Sequence, residues 1–340
     1  MARMFSLRTL LTVLRAGNPA ARLRATRDGQ AAVRVHLGAT ALRTGLLDAL
    51  AAEAGTTPQL AGRLRLVDGD LLAAFLRVVA AAGWVDVDGG RWSLTAAGRA
   101  VVTDDLVRAS YEAFAGFHTG LYRDLPGQLA GGVARRDVVE QGGLIARISA
   151  AFEPLVDDLL RETVTAVAPR TVLDVGCGAG LQLAGMLEAA PLAHGVGVET
   201  DPDAVALARR TLDSRGLGRR GRVVPADVRD LTGADAGPFD LALMANVVYY
   251  VPEEQRAALL AGVAGLLAPG GTLLVVTTVA APQLFSRHFD LLLRAQEGGM
   301  SLPDVAALAA ALEGAGLRPS HPRRIAPGAP LVAVAATRPR

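Results

Sequence analysis

From residue 171 onward, short and almost wholly apolar runs alternate with longer stretches whose apolar positions recur at helical spacing. The runs are Val172–Val175, Gly195–Glu199, Arg222–Asp227, Phe239–Asn246 and Gly271–Thr277, and the helical stretches between them include Ala204–Leu212 and Glu254–Leu267. Strands that are apolar on both faces and separated by helices predict a parallel sheet covered on both sides. Ligands of such sheets bind beyond the carboxyl ends of the strands. Those ends carry Asp174, Glu199, Asp227 and Asn246.

The pattern upstream is different. Leu42–Ala54 has helical period, Thr56-Thr57-Pro58-Gln59 is a helix start with a capping threonine and a first-turn proline, and Leu71–Ala82 predicts a third helix. Trp84–Val87 and Arg91–Leu94 then flank Asp88-Gly89-Gly90, a hairpin signal. Three helices and a hairpin predict a winged helix, a fold that suggests a DNA reader. The charges argue against that use. Between residues 40 and 100 six arginines balance six acids, and the helix that would enter a groove offers Asp70, Arg77 and otherwise Leu71, Leu72, Phe75, Leu76, Val78 and Val79. A groove-reading helix needs excess positive charge and polar side chains that reach base edges. An apolar helix is better suited to packing on another subunit.

The first run of the downstream region ends in Asp174-Val175-Gly176-Cys177-Gly178-Ala179-Gly180. Glycines at 176, 178 and 180 let the backbone turn sharply and a ligand lie against it, and the helix that follows points its free N–H groups at the same place. The spacing is G-x-G-x-G rather than the dinucleotide G-x-G-x-x-G, and no lysine occurs in the chain to serve a phosphate loop. Glu199 closes the next strand 19 positions after Gly180, where a fold of this type places an acceptor for ribose hydroxyls.

Taken together, Val172–Gly180, the acidic end at Glu199, the pair Ala226-Asp227, the run Phe239–Pro252 and the run Leu266–Val276 resemble the five motifs of class I S-adenosylmethionine (SAM)-dependent methyltransferases. The resemblance implies an α/β, Rossmann-like seven-stranded domain that binds SAM and releases S-adenosylhomocysteine. It implies that Gly176 and Gly178 pass under the methionyl and ribose groups and that Asp174 and Gly180 complete the loop. Glu199 would hold the ribose hydroxyls, Asp227 the adenine amino group with Val228 beside it, and Asn246 would face the reacting end. A mainly helical winged-helix domain ahead of such a domain is similar to the small-molecule O-methyltransferases of natural-product pathways. In that family the N-terminal unit builds the dimer, which implies a homodimer here. The domains expected are a basic helical arm over 1–36, the winged helix over 37–104, a helical linker and pocket region over 105–168, and the SAM domain over 169–340.

Eight of the fourteen aromatic residues fall in three clusters. Tyr111, Phe114 and Tyr122 share a helical face with His118, and Phe117 lies in the same stretch; Tyr249 and Tyr250 follow Asn246; Phe285 and Phe289 flank His288 after the fifth strand. The clusters could converge on a mostly apolar pocket for a small aromatic or conjugated substrate. The O-methyltransferase pattern places a catalytic histidine where this chain has Tyr249 and Tyr250. His118 and His288 are then the candidate bases, with Tyr249 a poorer one, and the acceptor atom is open among O, N and C. A SAM-sensing DNA regulator is the alternative of another class.

Composition adds exclusions. The single cysteine, Cys177, rules out an intrachain disulfide framework and reads as a small loop-packing residue in a reducing compartment. No His/Cys/carboxylate cluster has metal-ligand spacing, and no apolar run reaches the length that spans a bilayer. The net charge of +2 gives no reason to expect nucleic acid. The start is basic: Arg3, Arg8, Arg15, Arg22, Arg24, Arg27 and Arg34 stand against Asp28 alone. It reads as a helical arm of a bacterial cytoplasmic protein, the other reading being an organelle transit segment.

Overall fold

The computed structural model describes Thr12 and residues 17–149, 153–232, 235–325 and 328–340, which divide into two compact units. Arg3, Arg8 and Arg15 of the basic start lie outside the described residues. One unit comprises the described residues up to Asp124 with 141–149, the other 125–140 with the described residues from 153 on.

The first unit opens with α1 (Pro19–Arg43), capped by the Asn18 side chain, which accepts the Ala21 N–H at 3.0 Å. Its first half is exposed from 17 to 34, and burial begins only at Gly38. The helix expected over 42–54 is divided: α1 ends at Arg43, and α2 (Leu46–Ala52) restarts after Thr44-Gly45. Next come β1 (Gly55–Thr56), α3 (Thr57–Leu64), α4 (Gly69–Ala81), β2 (Val85–Asp88) and β3 (Arg91–Leu94). The Gln59 side chain accepts the Thr56 N–H at 2.9 Å and closes the start of α3. The strands form an antiparallel sheet in the order β1-β3-β2, completing a winged helix. In α4 the spacing i, i+4, i+7 buries Leu72, Leu76 and Val79 in a core with Trp84 and Trp92, while Leu71 and Val78 remain exposed. Each fully buried leucine there contributes about 2 kcal/mol. Three further helices, α5 (Ala96–Thr103), α6 (Asp105–Ala113) and α7 (Thr119–Leu129), follow, with a π-helical turn at Phe114–His118 between the last two. After α8 (Asp137–Glu140), α9 (Gly142–Ser149) rejoins the first unit, where Arg147 bonds Asp105 and Glu112 of α6.

The second unit is a sheet between helices. Its elements are α10 (Glu153–Val167), β4 (Thr171–Val175), α11 (Leu181–Ala189), β5 (His194–Glu199), α12 (Pro202–Ser214), β6 (Gly221–Pro225), β7 (Phe239–Ala245), α13 (Glu253–Leu266), β8 (Leu267–Thr278), α14 (Leu284–Arg294), α15 (Val305–Gly314), β9 (Arg318–Pro319), β10 (Arg323–Arg324) and β11 (Leu331–Thr337). The order runs β6-β5-β4-β7-β8-β11, parallel except for the antiparallel β11, and both β9 and β10 pair with β11 at its outer side. The seven positions expected are thus occupied by eight strands. Proline at 319 and 322 lacks the N–H that a continuous ladder needs, so the outermost strand is split into two dipeptides.

Strand periodicity sorts the side chains into two cores. Val172, Leu241, Leu243 and Val276 face one side with α10, α11 and α12, while Leu173, Val175, Met244 and Val275 face the other with α13 and α15. The fifth strand begins at Leu267 rather than Gly271, and its pairing jumps from Phe239↔Leu267 to Leu241↔Thr272 because residues 268–271 bulge out. Among the described residues no helix is long and apolar enough to cross a membrane.

Candidate active site

β4, β5 and β7 lie side by side with their carboxyl ends together, and the glycine loop leaves from the middle one. The loop is tied to β5 by its own backbone. Cys177 N–H donates to the Val198 carbonyl at 3.0 Å, and Gly178 N–H donates to Glu199 Oε2 at 3.0 Å. Glu199 Oε1 accepts the N–H groups of Thr200 at 2.8 Å and Asp201 at 3.0 Å. Three backbone donors therefore hold this carboxylate in one orientation. Gly176 and Gly180 have φ of 67° and 73°. A Cβ on the first would stand 2.7 Å from Val247 Cγ2 and one on the second 3.0 Å from Ala208 Cβ, so both conformation and space demand glycine. At Gly178 the space is open.

Asp174 is 2% exposed and lies under this loop. The Leu183 N–H in the first turn of α11 donates to it, while Oδ2 has no partner among the described residues. Burial raises its carboxyl to about 7, the nearby Glu199 carboxylate adding to the rise and the Leu183 bond opposing it. A buried carboxyl oxygen without a donor is costly unless the group is neutral or a cation reaches it. Cys177 is also buried, which pushes its thiol up and leaves it unreactive, as a loop-packing residue would be.

Asp227 lies one turn beyond β6. It caps the 3₁₀ turn Val228–Asp230 through the Arg229 N–H, and Arg229 grips both of its oxygens. That grip holds the carboxyl below its usual range. Val228 beside it is buried in the sheet core. Asn246, just past β7, adopts φ of 58°, and its Oδ1 is buried with no partner among the described residues. Asparagine tolerates that left-handed conformation better than most residues. The Asn246 N–H meanwhile donates to Val276 O at 2.7 Å.

Two of the three aromatic clusters meet. Tyr249 packs edge-on against Tyr250 at 4.6 Å and against Phe289 at 5.4 Å, and Phe289 stacks with Phe285 at 6.3 Å. Leu293, Leu302 and Met300 complete the cluster. Burial pushes the Tyr249 hydroxyl well above its ordinary value, and it donates to Tyr250. His288, on α14 with Phe285 and Phe289, is half-buried, and burial lowers its imidazole. The remaining cluster belongs to the first unit. Tyr111 meets Trp84 edge-on at 5.3 Å, His118 is buried between Phe114 at 4.7 Å and Phe117 at 4.5 Å, and Tyr122 is exposed. The π-helical turn there includes Gly116 with ψ of −111°, so the regular helical face expected over 111–122 is interrupted. Among the described residues no group of three or more His, Cys, Asp or Glu could hold a metal ion.

Sequence spacing located the strand-end acids but not what holds them. The Arg229 grip and the buried face of Asp174 depend on rotamers and on neighbouring strands, neither of which a motif records.

Residues 172–271 match the methyltransferase domain family, and the second unit has the class I SAM-dependent methyltransferase fold. Among particular proteins, the chain is 30% identical over 184 residues to 2,7-dihydroxy-5-methyl-1-naphthoate 7-O-methyltransferase of Streptomyces carzinostaticus, covering 52% of this chain and 54% of that protein. The chain spans between 26% and 57% of the length of the curated relatives it matches. In fold it is similar to mitomycin 7-O-methyltransferase MmcR, with a TM-score of 0.78 and 22% identity over 96% of this chain and 99% of that one. It is similar too to the N,N-8-amino-8-demethyl-D-riboflavin dimethyltransferase RosA of Streptomyces davawensis, with a TM-score of 0.71 and 21% identity over 95% and 100% of the two chains.

Proposed function

We propose that this protein transfers a methyl group from SAM to a small aromatic or conjugated metabolite, most readily at oxygen. The observation that carries the reading is the pair of carboxyl groups at the glycine loop. Asp174 presents a buried oxygen with no partner among the described residues, and Glu199 is fixed beside it by three backbone donors. That arrangement suits a ligand that brings both a cationic group and hydroxyl donors, which SAM does. Gly176, Gly178 and Gly180 would cradle it, Asp227 and Val228 would meet its adenine, and Asn246 would face its reacting end. When bound, SAM supplies an electrophilic methyl group on sulfur.

The chain's own task is to align a nucleophile with that methyl and, where the acceptor carries a proton, to remove it. Tyr249 is unsuited to the second task, being buried, neutral and already a donor to Tyr250. His288 is suited, because its lowered imidazole is neutral at physiological pH and can accept a proton. Tyr250, Phe285 and Phe289 offer aromatic faces for the acceptor. Tyr111, Phe114, His118 and Tyr122 are the substrate-side residues we assign to the first unit, with His118 the second candidate base. Formation of S-adenosylhomocysteine with a methylated product, followed by mass spectrometry over phenols, amines and enolisable acids, tests the reading; no turnover of SAM with any of them would overturn it.

An N- or C-methyltransferase is the neighbouring reading. It is favoured by the tyrosines that stand where the O-methyltransferase pattern has histidine. A regulator that reads DNA through the winged helix is the more distant one, and absence of DNA binding in a salt titration would remove it. We further propose a homodimer. Helices in proteins draw most of their stability from packing of one face, yet α1 is exposed over residues 17–34, with Leu23 and Val33 among them. Light scattering that reports a monomer at micromolar concentration would reject it.

A further inference from the structure

The two acids expected to grip the sugar and the base are held in different ways. Glu199 is fixed chiefly by backbone, through the N–H groups of Gly178, Thr200 and Asp201, with the Thr200 hydroxyl adding a longer bond at 3.5 Å. Asp227 receives one backbone donor, the Arg229 N–H, which reaches Oδ1 at 2.9 Å. Its other two donors come from the same residue's guanidinium: Arg229 Nε reaches Oδ1 at 2.9 Å, and Nη2 reaches Oδ2 at 2.7 Å. The Asp227 and Arg229 side chains are 31% and 47% exposed, so the pair is open to solvent on one side.

An ionised carboxylate offers about four acceptor positions. Among the described residues three are taken, two on Oδ1 and one on Oδ2, which leaves a single position, on Oδ2. The guanidinium is planar and its fork matches a carboxylate in two bonds, so it fixes the carboxylate plane as well as its charge. Without it, Asp227 would keep one backbone donor on Oδ1, and the plane of its carboxylate would no longer be fixed. Its ordering would then have to be supplied when the ligand binds.

We infer that Arg229 is a positioning residue of the cofactor site, clamping Asp227 so that one carboxylate position remains for a single N–H donor of the ligand. The inference rests on the SAM reading above. The clamp acts only through Asp227, and it selects an amino group over a carbonyl at that point of the ligand, because a carbonyl would bring an acceptor to an acceptor.

Calorimetry with S-adenosylhomocysteine tests this without turnover. Arg229→Gln is expected to weaken binding about twofold to tenfold, the cost of ordering one side chain on binding, and Arg229→Lys to recover part of it. In an Asp227→Asn background, Arg229→Gln is expected to cost nothing further, since the group it orients no longer bears the charge. Acidification should weaken binding at a higher pH in Arg229→Gln than in the wild type, because the grip that keeps the Asp227 carboxyl low is gone. S-inosylhomocysteine, with a carbonyl in place of the amino group, should bind more weakly than S-adenosylhomocysteine to the wild type. Wild-type affinity in Arg229→Gln would overturn the inference while leaving the SAM reading intact. Additive losses in the double variant would overturn it too, by giving Arg229 a part independent of Asp227. Failure of the wild type to bind S-adenosylhomocysteine at all would overturn both.

Discussion

The glycine loop and the aromatic cluster around Tyr249 lie in the same unit, yet they are built on opposite terms. At the loop, polar side chains are answered by main chain: Glu199 by three backbone N–H groups, and Asp174 by the first turn of α11. A side chain held that way has little freedom to change, since the backbone donors stay when the residue is replaced. At Tyr249 the partners are other side chains, rings 4.6 to 5.4 Å apart with one hydroxyl bond between the two tyrosines. Rings can be exchanged for other apolar groups of similar volume at modest cost. A fixed ligand suits the first kind of site and a variable one the second.

The contrast can be broken most decisively at Asp174. Its carboxyl is raised to about 7 in the fold against an ordinary 3.8, so the folded state holds a proton that the unfolded chain has lost. Between those values the folded state binds more protons, and stability falls as pH rises, by an amount of the order of 4 kcal/mol. Below pH 4 the penalty is absent; above pH 7 it is complete. Asp174→Asn is therefore expected to flatten the pH profile of thermal unfolding and to melt higher at pH 8 while binding SAM less well. A lower melting temperature at pH 8 would mean that the carboxylate is satisfied as an ion. Next in size, Glu199→Ala should cost about two hundredfold in SAM affinity, from two charge-assisted hydrogen bonds. Near-native affinity by calorimetry would reject the site. His288→Ala should lower kcat about a hundredfold, with SAM affinity within about twofold of the wild type. If turnover survives in both this variant and His118→Ala, neither histidine is the base. The smallest effect is expected at Tyr249→Phe, about 1 kcal/mol of stability from the lost hydroxyl bond and no change in SAM affinity. A large loss of SAM binding there would erase the distinction between the two regions.

Much of this was legible in the chain, and the reasons are physical. Strands β4 to β8 announce themselves because a parallel sheet buried on both faces leaves no polar alternation to confuse the period. The loop is legible because three close glycines have few other uses, and Thr56 and the Gly89-Gly90 turn mark the winged helix by local chemistry. What escaped depends on distance in sequence or on a local exception. The bulge at 268–271 follows from pairing with β7, the π-helical turn at 114–118 breaks a period that looked regular, and the break at Thr44-Gly45 divides an unbroken apolar pattern. The meeting of Tyr249 with Phe289, 40 positions apart, was readable only as a possibility, since nothing local in either segment encodes it.

The split outer strand has a consequence for how the protein behaves in a crowded solution. An open sheet is a template, and any extended chain that finds a bare rim can add itself to it. Here one rim is made of β9 and β10, two residues each, bearing Arg318, Pro319, Arg323 and Arg324, and the other is β6, which carries Arg222 and stops at Pro225. Neither offers a long, uncharged ladder. The prolines that cut the outermost strand in two, and the arginines beside them, make that rim a poor template for an added strand.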